Sequence, residues 1–75
     1  MRETLQDVRR GETFRIDAVE DDEVRAQLQR MGFLDGEVTC RQHLTAGPVV
    51  ISRRGTDLAL GAPVAADVHV AVTDR

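Results

Sequence analysis

The apolar residues of this chain come in short runs of period two, each cut off by glycine or proline, with one stretch of helical period among them. Alternation over so few residues marks half-buried strands, and the breaks between them leave no room for the long crossovers of a parallel sheet. Thr13 to Val19 opens the series, with Phe14, Ile16 and Ala18 on one side and Arg15 and Asp17 on the other. Val38, Cys40, Gln42 and Leu44 line one face of the next run, and Thr39, Arg41 and His43 the other. Val49 to Arg53, Thr56 to Leu60 and Asp67 to Val72 follow, the last with Val68, Val70 and Val72 inward and His69 outward. Arg54-Gly55 suits a tight hairpin turn, and Ala46-Gly47-Pro48 and Gly61-Ala62-Pro63 supply further breaks. Val64 to Ala66 is expected to form one helical turn. Residues 1–12 are expected to be a polar lead-in ending at Gly11, with Leu5 and Val8 as its only apolar anchors.

The helical stretch begins after Glu20, Asp21, Asp22 and Glu23. Val24, Leu28 and Met31 then recur at helical spacing and form one apolar stripe. Asp21 or Asp22 can accept from the free amides of the first turn, and Arg30 suits the negative end of the helix. Gly32 is placed to terminate it. Burial of each stripe residue is worth about 1.5–3 kcal/mol, so the helix must pack on the strands. After it, Phe33-Leu34-Asp35-Gly36 reads as a turn, with Asp-Gly favouring positive φ.

These elements predict a mainly β fold: a small, partly open barrel of about five strands with one short α-helix after the first strand. Closure of this kind removes sticky sheet edges. Residues 1–75 are expected to make one domain. Its core is thin, because a chain this short buries only roughly 60% of the surface it exposes when unfolded. Cys40 is the one cysteine, so no internal disulfide can form, and a reducing compartment is expected. No run has the length of a membrane span, and MRETLQDVRR lacks an apolar signal region. A cytoplasmic protein with no direct membrane insertion is the expectation.

A formal net charge of −3 argues against nucleic acid as a partner, since the ten basic residues are scattered among thirteen acids. Phe14 and Phe33 are the only aromatics, too few for base stacking or for a groove that takes proline-rich peptides. Cys40 and His43 have the gap of many zinc ligands, but an odd separation on a strand sends them to opposite faces unless a bulge intervenes. His69 reads as a solvated strand residue. The run Glu20 to Glu23 reads as a capped helix start rather than a cation site. No metal ligand set is therefore assigned. Ser52 lies mid-strand without a nucleophile elbow, and Gly32 and Gly36 are too isolated to cradle a phosphate. The expectation is a chain that is not an enzyme. What remains is protein contact through the apolar bend, where Met31, Phe33 and Leu34 exceed what one helix face can bury; the other reading of these residues is that all of them fill the thin core, since a small domain needs such side chains inside.

The stretch from Arg25 through Leu28, Met31, Gly32, Phe33 and Leu34 to Gly36 resembles the Leu-x-x-Met/Leu-Gly-hydrophobic-x-x-Gly signature of the ferrous iron transport protein A (FeoA) family. Gly47 to Ile51, Arg54 to Gly61 and Ala65 to Val68 resemble the second half of that family, and Leu5 and Gly11 its opening. The resemblance implies an SH3-like barrel. It also implies a small cytosolic accessory protein of ferrous iron uptake, which contacts the membrane transporter FeoB without catalysing a reaction. Ferrous ion is the metal that such a system handles, and no ligand set for it is identified in this chain. An alternative is a free-standing relative of the C-terminal barrel of iron-dependent repressors, modulating a DNA-binding partner in response to metal. Under the first reading Leu28, Met31, Phe33 and Leu34 are the partner-binding residues. Leu28 and Met31 fix the helix, Phe33 and Leu34 present apolar surface, and Gly32 and Gly36 permit the bend. The chain is expected to be a monomer or a weak homo-oligomer.

Overall fold

The structure, a computed structural model, describes residues 3–74. Six antiparallel strands form one sheet in the order β1-β6-β2-β3-β4-β5. They are β1 (Glu3–Thr4), β2 (Thr13–Val19), β3 (Val38–His43), β4 (Val49–Arg53), β5 (Thr56–Leu60) and β6 (Val68–Asp74). The helices are α1 (Asp22–Arg30), between β2 and β3, and the single turn α2 (Ala62–Ala65), between β5 and β6. A flat sheet of this size would be a slab about 10 Å thick. The molecule instead measures 25 × 24 × 24 Å, so the sheet curls around its own core. It is a small open SH3-like barrel, as expected, with one more strand than expected. Among the described residues, no helix is long and apolar enough to cross a membrane.

The additional strand comes from the supposed lead-in. Glu3 and Thr4 pair with Val70 and His69 of β6, and Leu5–Asp7 forms a 3-10 turn capped by Thr4 and Asp7. Leu5 and Val8 are both fully buried, which makes this segment a plug for one end of the barrel rather than a polar arm.

Two bulges revise the predicted faces. In β2, Ile16 faces Val70 but Ala18 faces His69, leaving Asp17 as the extra residue. Parity flips at that point: Ala18, expected inside, is exposed, and Val19 joins Val68 on the inner side. In β3, Cys40 faces Ile51 and Gln42 faces Val50, so Arg41 is the extra residue. Gln42 and Leu44, both expected inside, are exposed, with Leu44 at 48%. A one-residue insertion is enough for this, because side chains on a strand alternate faces with period two.

The remaining local expectations hold where the forces are local. Asp21 caps α1, its Oδ1 accepting from the amides of Glu23 (2.8 Å) and Val24 (3.1 Å). Arg54 (φ 51) and Gly55 (φ 81) both take the left-handed region, as a two-residue hairpin turn requires. Phe14, Leu28, Phe33, Val38, Ile51 and Val68 form the centre of the core, all fully buried.

Candidate functional site

The corner where α1 meets the barrel is built by its glycine. Gly32 has φ 81, and its amide donates to the carbonyl of Gln29 at 3.1 Å. The amide of Phe33 donates to the carbonyl of Leu28 at 2.9 Å. This pair of bonds is the Schellman helix end, and it carries an apolar contact between the residues at its two ends. Here those residues are Leu28 and Phe33, both fully buried.

That geometry corrects the role expected of Phe33. The reversal at Gly32 turns the chain back so that Phe33 is fully buried in the same core cluster as Leu28, and Phe33 does not present apolar surface. Met31 and Leu34 are only half-buried against the core and form the accessible apolar rim of the corner. Leu28 fixes the helix to the barrel from inside.

Gly36 also has a different reason from the one expected. It does not take positive φ. A side chain there would place its Cβ 2.9 Å from Nη1 of Arg53. Arg53, the last residue of β4, lies across the loop that leaves the helix. Its Nε donates to the carbonyl of Gly32 at 2.8 Å, and its Nη1 to that of Glu37 at 3.2 Å. One guanidinium thus holds both ends of the corner loop, and Gly36 leaves room for it. In the sequence Arg53 is one of an adjacent arginine pair, too small for a basic face. No neighbouring residue signals that its side chain caps carbonyls on another element.

The candidate metal residues separate for reasons of their own. The bulge at Arg41 brings Cys40 and His43 to the same inner face, opposite Ile51 and Val49, so the parity that was expected to part them fails. Their polar atoms are nevertheless engaged elsewhere. His43 Nδ1 donates to the Val8 carbonyl at 2.6 Å, and Cys40 Sγ lies 3.7 Å from the Gln42 carbonyl. His69 was expected to be solvated, but its side chain is only 20% exposed, and its Nε2 lies 2.7 Å from Oε2 of Glu20. The acidic run is divided in the same way: Glu20 faces His69, Asp21 caps the helix, and Asp22 pairs loosely with Arg25 at 3.9 Å. Among the described residues, no three His, Cys, Asp or Glu side chains converge on a point that a metal ion could occupy.

Burial pushes the Cys40 thiol above its ordinary range; the charge of Glu12 adds to this, and the backbone hydrogen bond at Gln42 opposes it. A thiol held protonated and fully buried is a poor nucleophile. Alkylation by iodoacetamide at pH 8 should be about a hundredfold or more slower in the folded protein than in denaturant, since opening must come first. The folded state keeps this proton after the unfolded chain has lost it, so the thiol's contribution to stability is whole below the ordinary thiol range and declines as pH rises through it. Mass spectrometry of timed quenches measures the rate, and equal rates in the two states would show an accessible thiolate.

A sequence model described as the FeoA domain matches residues 3–72. None of the curated proteins matches this sequence. Among solved structures, the chain is similar to a crystal structure of an iron uptake regulatory protein (FeoA). Identity to it is 24%, with 97% of this chain and 99% of that one covered, and the TM-score is 0.79. It is also similar to the solution structure of a FeoA-like protein from Clostridium acetobutylicum, at 23% identity over 99% of this chain and 90% of that one, with a TM-score of 0.74. At such identities the two structures speak for the fold.

Proposed function

From the premise that this chain belongs to the FeoA domain family, we propose that it is a non-catalytic accessory protein of ferrous iron uptake, docking on the cytosolic side of a FeoB-type membrane transporter. The observation that carries this reading is the family match over almost the whole chain. The corner supports it structurally: Gly32 and Arg53 hold Met31 and Leu34 as an apolar rim that the core does not fully cover.

Binding to the detergent-solubilised transporter tests the proposal. Replacing Met31 and Leu34 together with glutamate should weaken binding about tenfold or more, as removal of apolar contacts from the centre of an interface does. Leu44→Glu, at the exposed β3–β4 turn, should leave binding unchanged and serves as the control. A melting curve run in parallel separates lost docking from lost folding. Undiminished binding by a folded double variant would remove the corner from the interface.

A further inference from the structure

β5 is an edge strand of the sheet. β5 pairs with β4 on one side, from Val49↔Leu60 to Arg53↔Thr56, and among the described residues with no strand on the other. At the opposite edge, the described residues of β1 are Glu3 and Thr4, and the Thr4 amide is taken by Asp7 at 2.9 Å.

The register identifies the free groups of β5. The two residues flanking a two-residue hairpin turn form a hydrogen-bonded pair, and such pairs alternate with non-bonded ones along an antiparallel ladder. Arg53 and Thr56 flank the turn here, so Thr56, Leu58 and Leu60 direct their backbone groups at β4. Asp57 and Ala59 direct theirs outward, and both residues are exposed. Among the described residues, no hydrogen bond reaches these outward amides and carbonyls from another element.

We infer that the β5 edge is a strand-addition site for an extended, basic peptide segment of a partner protein. Strand addition draws affinity from main-chain hydrogen bonds and specificity from alternate side chains. A strand laid antiparallel on Asp57 and Ala59 puts its residues opposite them on the outer face, and the residue between them beside half-buried Leu58. The outer face offers the carboxylate of Asp57, held only by a long contact of 3.9 Å with Arg41 between two exposed side chains. A lysine or arginine opposite Asp57 is the complementary residue, and a β-branched one suits Leu58. The site uses Asp57 and Ala59 of β5, not Met31 and Leu34, and does not depend on what docks at that rim.

The test uses the full chain labelled with nitrogen-15. The probes are the capped peptide Thr-Val-Lys-Val-Lys-Val-Thr and its counterpart with glutamate in place of lysine. The lysine peptide should shift the Asp57 and Ala59 amides and bind up to about fivefold more tightly than the glutamate peptide, the range of one cross-strand charge pair. Asp57→Lys should invert that preference. Ala59→Pro removes an outward amide that β4 does not use, so it should abolish the shifts while the spectrum stays dispersed. Should Ala59→Pro unfold the protein, the inversion by Asp57→Lys decides the matter alone. Shifts confined to other residues, or an unchanged preference in Asp57→Lys, would overturn the inference. Concentration-dependent shifts of the same amides without peptide would assign the edge to a second copy and overturn it as well.

Discussion

Phe33→Ala should leave little folded protein at 25 °C. The side chain is fully buried in the core cluster that holds Leu28, and a Phe-to-Ala change in a core costs about 3–5 kcal/mol. A domain this small has a total stability of only about 3–5 kcal/mol from its core, so the loss consumes most of it. Urea titration followed by circular dichroism should show no native baseline for Phe33→Ala. Phe33→Leu, which keeps most of the volume, should fold with a lowered midpoint. Met31→Ala should cost less than either, because Met31 is half-buried. If Phe33→Ala unfolded within about 1 kcal/mol of the parent, the ring would not be core and could serve as docking surface after all. The same experiment therefore separates the two roles this residue can have in the corner.

Arg53→Met should destabilise the protein by about 1–3 kcal/mol, although it removes a charged side chain from a strand end. The change deletes two charge-assisted hydrogen bonds and leaves the carbonyls of Gly32 and Glu37 to find water. Gly36→Ala supplies the second half of a cycle. In the parent its Cβ would press on the guanidinium from 2.9 Å, and the side chain can yield only by giving up those bonds. In the Arg53→Met background the obstacle is gone, and alanine at a residue without positive φ should be neutral or stabilise by up to about 1 kcal/mol. A coupling of about 1 kcal/mol or more between the two sites is expected from chemical denaturation. Strict additivity would mean that Arg53 does not occupy the corner in solution.

Both predictions concern a corner whose glycines were legible in the sequence and whose reasons were only half so. Gly32 was identified as the helix terminator, and its positive φ follows from a helix that ends in a left-handed residue. Gly36 was assigned the same kind of reason from the Asp-Gly pair. It proves instead to accommodate Arg53, a residue 21 positions from Gly32 that nothing nearby in the sequence connects to it. The surplus of apolar residues at Met31, Phe33 and Leu34 was equally visible. How it divides between core and surface was not, because that depends on the direction in which the chain leaves Gly32.

The sequence by itself determined the elements whose causes are local. The strands Thr13–Val19, Val49–Arg53 and Thr56–Leu60, the cap at Asp21 and the turn at Arg54-Gly55 all lie where period and turn chemistry placed them. Such signals act over a few neighbouring residues, so one chain segment carries them entire. The tertiary structure alone decided the bulges at Asp17 and Arg41, the plug made by Leu5 and Val8, and the clamp of Arg53. Each depends on which strand comes to lie alongside, and on where a curled sheet brings distant groups together. A bulge adds one residue to one strand relative to its partner, so no pattern within either strand can announce it.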